Sequence, residues 1–129
     1  MKHEGPRNIS LGSIAGYKFP ITAISSILHR VTGLLMVVLL PFLLWGFDLS
    51  VRGGDSFYYV QYLLLHTPWS FVAWLFLSAI SYHVFAGIRH LIMDLGMGEE
   101  MTVARITSSF VLILGVLAAI FWGVWLWLM

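Results

Sequence analysis

The sequence contains no cysteine. A thiolate-bound iron–sulfur cluster, a covalently attached c-type haem and a disulfide framework are therefore all excluded within this chain. Any redox chemistry in which the chain takes part would have to rest on its five histidines.

Charged residues are also scarce, since they make up 10% of the chain whereas hydrophobic residues make up 60%. Charge-free runs at 31–47, 57–88 and 106–129 approach or exceed the roughly 20 residues that cross a hydrocarbon core of about 30 Å. We therefore predict an all-α membrane protein with three transmembrane helices in a lipid bilayer, and no nucleic-acid partner. The spans are expected at about 20–47, 68–96 and 103–129, in a single anchor domain after an arm at 1–19.

The positions of the basic residues predict the orientation. Four of them precede the first span or lie in its first turns, against one acid, Glu4. These four are Lys2, Arg7, Lys18 and Arg30. Since basic residues accumulate on the cytoplasmic side, we expect a cytoplasmic N-terminus and a periplasmic C-terminus.

Several residues mark helix ends and interfaces. Pro20 can open the first helix, and Thr67 followed by Pro68 is typical of a helix start. Glycine at Gly96 or Gly98 can close the second span. In addition, we expect Pro41 to bend the first span, a tyrosine-rich interfacial segment at 57–62, and a tryptophan belt at the far end of the last span. That belt consists of Trp122, Trp125 and Trp127.

His83 is the deepest ionisable residue in the predicted spans. It lies six residues before Arg89, which places it about 9 Å inside the helix end. Ala79 and Gly87, four residues away on either side, leave a flat slot that suits a macrocycle beside an imidazole ligand. The alternative is that these small residues allow close helix packing and His83 hydrogen-bonds a neighbouring helix.

His90 lies on nearly the same face but about 10 Å lower, so His83 and His90 cannot ligate one iron from opposite sides. One of them could be a ligand while the other meets the charged edge of the cofactor. In a simpler alternative, His90 is an interfacial histidine that pairs with Asp94, four residues later, or with solvent.

Ser26 and Arg30 share a face of the first span because they are four residues apart, and His29 lies beside them. The planar guanidinium of Arg30 suits carboxylates. Alternatively, Arg30 extends to the headgroups and serves the positive-inside rule.

Two segments together resemble a known family. FPITAISSILHRVTG at 19–33 carries the pattern SxxxR, and YHVFAGIRHLIMD at 82–94 carries HxxxGxRHxxxD. Both resemble the characteristic segments of the cytochrome b556-type membrane anchor, the larger of the two anchors of succinate dehydrogenase. The resemblance extends from about Pro6 to the last span, although outside the two segments it is mainly one of hydropathy.

The resemblance implies a multi-pass subunit of respiratory complex II in the bacterial cytoplasmic membrane, serving the tricarboxylic acid cycle and the aerobic respiratory chain. Its implied partners are a flavoprotein subunit, an iron–sulfur subunit and a smaller anchor that shares one haem b. His83 would be an axial ligand of the haem iron, with the second ligand from the smaller anchor. Ser26 and Arg30 would contact ubiquinone, and His29, Arg30 and His90 would lie near the haem propionates.

Two other functions stay open at this point. A fumarate reductase anchor would work with a different quinone in the opposite direction, and a structural helix bundle would use its histidines only for packing. The chain has no flavin fingerprint, no cysteine ligands and no succinate-binding domain, so we do not expect it to be an enzyme alone.

Overall fold

The computed structural model describes residues 19–128, which form four helices in sequence. These are α1 (Ile21–Ser50), α2 (Gly54–His66), α3 (Trp69–Asp94) and α4 (Met101–Leu128). No strand occurs within that range, and α1, α3 and α4 are each long and apolar enough to cross a membrane. The predicted fold class, an all-α membrane protein with three spans, is confirmed. Almost all of the predicted arm at 1–19 lies outside the described residues.

Helix α1 starts directly after Pro20, whose carbonyl accepts the amides of Ala23 and Ile24 at 2.9 and 3.2 Å. It continues past the expected end near Phe47 to Ser50, and Pro41 lies inside it. Ser50 Oγ donates to the carbonyl of Phe47 at 2.7 Å. Because this local bond satisfies the serine hydroxyl within the helix, the helix includes Ser50 instead of ending before it.

Helix α2 contains the tyrosine-rich segment for which we predicted an interfacial location. At 13 residues it is about 20 Å long, too short to cross the hydrocarbon core. Tyr58, Tyr59 and Tyr62 are all exposed. The connection between the first two spans therefore contains a helix of its own.

Both predicted end signals of α3 form the expected hydrogen bonds. Thr67 has an extended backbone, and its Oγ1 accepts the amide of Trp69 at 3.2 Å. At the other end Gly96 adopts φ +78°, and its amide donates to the Met93 carbonyl at 2.8 Å. The Met97 amide reaches the Ile92 carbonyl at 3.3 Å, which completes a Schellman motif.

The most extensive packing is between α3 and α4. It depends on Gly115, where a Cβ atom would lie 2.5 Å from Cδ2 of Tyr82. The Tyr82 ring therefore rests against bare backbone and forms a buried cluster with Ala86 and Val111. Small residues let membrane helices approach closely, and van der Waals contact supplies much of their attraction.

Two of the three tryptophans of the predicted aromatic belt donate hydrogen bonds to α3. Trp122 Nε1 donates to Ser81 Oγ at 3.0 Å, and Trp127 Nε1 donates to Ser70 Oγ at 3.2 Å. An indole N–H away from water needs such a partner. These two bonds join α4 to α3, while the rings of Trp125 and Trp127 both remain exposed.

Most large apolar side chains on the outside of the long helices are exposed. Leu34 and Val37 on α1 are 68% and 69% exposed. Three packed helices enclose little interior, so these surfaces are available to lipid or to further membrane helices.

Candidate functional site

Helices α1 and α3 bring three histidines together near one end of the bundle. The rings of His29 and His83 stack with their centroids 4.1 Å apart, and the ring of His90 tilts against His29 at 5.0 Å. His29 thus lies between two histidines that are seven residues apart on α3. The cluster joins the two sequence segments that carried the family resemblance.

One nitrogen of His83 is held by α1. His83 Nδ1 lies 3.1 Å from the carbonyl oxygen of His29 and 3.3 Å from Thr32 Oγ1. A carbonyl can only accept a hydrogen bond, so Nδ1 is the donor, and in the neutral imidazole Nε2 then keeps a lone pair. Nε2 makes no hydrogen bond within residues 19–128. Histidines that ligate metals are generally oriented in this way, through the nitrogen that does not bind the metal.

Gly33 provides the space for the His83 ring. A Cβ atom at this position would lie 3.0 Å from Cε1 of His83. Gly87, by contrast, faces His29, because a Cβ atom there would lie 3.5 Å from His29 Nε2. Ala79 is 4% exposed. The small residues around His83 therefore contact the chain's own helices, as in the packing alternative, and do not leave an open slot.

His29 has a buried nitrogen without a partner. Its Nε2 is enclosed and makes no hydrogen bond to any described residue. A buried polar atom of this kind costs free energy, about 1–3 kcal/mol, unless a further group pairs with it. The cluster therefore has one unsatisfied polar position in addition to the free Nε2 of His83.

His90 contacts His29 rather than Asp94. No ion pair links His90 to Asp94 in the described part of the chain, and Asp94 is exposed. The alternative pairing of His90 with Asp94 is thus absent from the described residues, and His90 belongs to the histidine cluster.

Ser26 and Arg30 lie on one face of α1, beside the cluster. Ser26 is half-buried and Arg30 is exposed, and neither side chain hydrogen-bonds to another described residue. The serine and the guanidinium are therefore available to a ligand or to a partner chain.

A hydrogen bond that was not predicted from the sequence fixes α1 against α3. Tyr82 Oη donates to the carbonyl of Ser25 at 3.0 Å and lies 3.3 Å from Ser25 Oγ. Ser25 is fully enclosed and Tyr82 is buried. A tyrosine inside a span signals such a bond, since its hydroxyl must find a partner, but the sequence does not indicate which one.

Removing that hydroxyl is expected to loosen the site. Tyr82→Phe keeps the ring that packs on Gly115 and deletes the bond to Ser25, which should cost about 0.5–1.5 kcal/mol. A lower thermal midpoint of the purified assembly would show this. Tyr58→Phe is the matched control because Tyr58 is exposed. An equal decrease in both variants would contradict the role given to Tyr82.

The fold and the site together define a class: a three-span membrane protein with a histidine cluster between two spans near one end. Among the described residues, no three acidic or histidine side chains are grouped to hold a bare metal ion. A group that brings its own equatorial ligands, such as a porphyrin, needs only one free imidazole nitrogen, and His83 offers one.

The chain belongs to the succinate dehydrogenase/fumarate reductase transmembrane subunit family, whose model matches residues 6–124. It is 38% identical to the succinate dehydrogenase cytochrome b556 subunit of Coxiella burnetii, over 98% of this chain and the whole of that protein. It is 36% identical to the cytochrome b560 subunit of Reclinomonas americana over 74% of this chain and 70% of the relative. The Paracoccus denitrificans b556 subunit is 30% identical over 72% of each chain.

These findings confirm the resemblance to the larger succinate dehydrogenase anchor. They also confirm the predicted function at the level of a succinate dehydrogenase cytochrome b-type membrane subunit. The chain is accordingly a multi-pass membrane protein.

Proposed function

We propose that this chain holds a b-type haem through His83 and helps to form the ubiquinone site of a succinate:quinone oxidoreductase. The observation that carries the proposal is the bond from His83 Nδ1 to the His29 carbonyl, which leaves Nε2 free to act as a ligand. The names of the relatives support haem b, because they are cytochrome b subunits of succinate dehydrogenase.

The geometry supports a haem that His83 alone would hold from this chain. The rings of His29 and His83 are stacked too closely to flank a macrocycle, and His90 lies a further two turns along α3. A second histidine, which the family resemblance assigns to the smaller anchor, would complete the haem site. When bound, the haem supplies a carrier that takes up and releases one electron.

The other two histidines of the cluster, together with Arg30, would meet the haem carboxylates. His29 Nε2 is buried without a partner, and His90 lies beside it. Arg30 projects from the next position of α1 with its guanidinium unbonded within the described residues. Charge-assisted hydrogen bonds from such donors to propionates are stronger than neutral ones.

Ser26 and Arg30 would bind the quinone. The half-buried hydroxyl of Ser26 would donate to a quinone carbonyl, and Arg30, one turn further on, would stabilise negative charge on the partly reduced ring. Both groups are free of other described partners, as a substrate site requires.

We place the chain in a bacterial cytoplasmic membrane with its N-terminus in the cytoplasm and its C-terminus in the periplasm. The charge pattern of the sequence supports this orientation. The partners would be the smaller anchor, the iron–sulfur subunit and the flavoprotein subunit. The exposed apolar faces of the long helices are consistent with a second membrane subunit.

Succinate oxidation is favoured over fumarate reduction by the relatives, which are named succinate dehydrogenase subunits, although the family description covers both reactions. A bundle whose histidines only pack would leave the buried His29 Nε2 unsatisfied.

Replacing Arg30 tests the quinone site. Arg30→Leu should reduce succinate:ubiquinone activity by about 10²-fold or more, because the charge that stabilises the developing anion is lost. Succinate oxidation with a soluble dye should remain near the wild-type rate, since the dye accepts electrons from the head subunits.

Arg105→Leu is the control, since Arg105 is also exposed and close to the helix end nearest the cluster. That variant should keep both activities. Equal loss of dye and quinone activity in Arg30→Leu would indicate failed assembly and would count against a quinone role.

A further inference from the structure

Arg89 is a buried cation without an anionic partner among the described residues. Arg89 is 7% exposed and lies in α3 directly before the cluster residue His90. Its Nε donates to Thr107 Oγ1 and its Nη2 to the Ala104 carbonyl, both at 3.1 Å. These neutral acceptors connect α3 to α4 but leave the positive charge uncompensated.

The acidic side chains at this end of the bundle do not reach Arg89. Asp94, Glu99 and Glu100 are exposed, and none forms an ion pair with Arg89. The Arg89 Nη1 group makes no hydrogen bond within residues 19–128, and it is not among their enclosed, partnerless polar atoms. Nη1 therefore keeps some accessible area and can donate to an external anion.

An apolar groove adjoins the guanidinium. The groove lies between α3 and α4, has a volume of about 330 Å³ and includes Arg89 in its lining. Its other lining side chains include Phe85, Ile92, Met97 and Phe110. A single permanent charge at the edge of an otherwise apolar groove matches an amphiphile with an anionic head and a hydrocarbon tail.

The groove is on the side of α3 away from the histidine cluster. At about 100° per residue, Phe85, Ile88 and Ile92 lie roughly 140–200° around the helix from His83. The partner that shares the haem under the proposed function must approach the His83 side, so this opposite side remains available to lipid. Arg89 is five residues before the end of α3, about 7.5 Å deep, which is within reach of headgroup phosphates.

We propose that Arg89 and this groove form a binding site for an anionic phospholipid of the adjacent leaflet. The lipid phosphate accepts hydrogen bonds from Arg89, and one acyl chain lies along the groove between α3 and α4. Bound there, the lipid supplies the missing counter-anion and fills the groove beside the helix that carries His83. This inference rests on the proposed function only for the side on which the smaller anchor binds.

Lipid retention by the intact complex tests the proposal. The complex is reconstituted in nanodiscs of phosphatidylglycerol and phosphatidylcholine, and the phosphatidylglycerol it retains is counted by native mass spectrometry. Arg89→Gln should weaken retention about tenfold, the effect of losing one hydrogen-bonded charge. Arg105→Gln removes the same charge from an exposed position at the same end and should retain the lipid as wild type does.

A second variant leaves the guanidinium in place. Ile92→Trp fills the groove and should also displace the lipid, and it decides the question if Arg89→Gln fails to assemble. Excess inorganic phosphate should not release the lipid from the wild-type complex, because the acyl chain contributes to binding.

Three results would overturn the proposal. In the first, Arg89→Gln and Arg105→Gln retain equal amounts of phosphatidylglycerol. In the second, Arg89→Gln releases the smaller anchor with no change in lipid, which would make the counter-anion a partner carboxylate. In the third, phosphate displaces the lipid while Ile92→Trp behaves as wild type. Haem b is measured on the same samples, so a failure of the haem assignment would be recognised separately.

Discussion

His83→Leu is expected to abolish the b-type absorption of the assembled complex, or to shift it to that of a haem with one histidine ligand. Leucine has no nitrogen to bind iron, and it cannot form the hydrogen bond to the His29 carbonyl that orients the His83 ring. We therefore expect almost none of the wild-type b-type absorption to remain. A dithionite-reduced minus oxidised spectrum of the purified complex measures it directly.

His90→Leu is the matched control, because His90 belongs to the same cluster but does not lie on Gly33 or bond to the His29 carbonyl. The b-type band should persist in that variant, with at most a small shift from the loss of a neighbouring donor. Loss of the band in His90→Leu alone, with His83→Leu unchanged, would show that the ligand has been assigned to the wrong histidine.

Gly115→Ala is expected to destabilise the bundle more than any other single methyl addition at the described glycines. The new Cβ would lie 2.5 Å from Cδ2 of Tyr82, closer than real Cβ atoms approach other heavy atoms. Tyr82 cannot move without disturbing its bond to Ser25 and its packing on Ala86. Overpacking of this kind typically costs about 1–3 kcal/mol.

Thermal unfolding of the purified assembly would measure the effect as a lower midpoint. Gly46→Ala is the control, since Gly46 is also helical and a Cβ atom there would contact nothing within 4 Å. That variant should be neutral or slightly stabilised, because alanine favours helix over glycine. Equal midpoints for the two variants would contradict the close approach at Gly115.

The three spans could be predicted because the hydrocarbon core sets their length and the charge-free runs reveal them. The ends of α3 could be predicted as well, since the side chain of Thr67 and the backbone of Gly96 act locally. The end of α1 could not, because Ser50 and Asp48 are typical loop residues. Their bonds to Phe47 and Arg52 complete the helix end only once its turn has formed.

The site was only partly predictable. Spacing puts Ala79 and Gly87 on the same helix face as His83, but a helix face does not reveal what packs on it, and His29 lies against Gly87. The bonds of His83 to α1 and of Tyr82 to Ser25 join residues more than fifty positions apart. The burial of Arg89 depends on the close approach of α4, which sequence spacing does not encode.

The most direct test of the account is to capture the complex from membranes through a tag on this chain. Haem b is then measured as the pyridine haemochrome, and succinate oxidation is assayed with a soluble dye. The account predicts succinate dehydrogenase activity together with haem b in an amount equal to that of this chain. A captured complex that oxidises succinate but contains no haem b would contradict it.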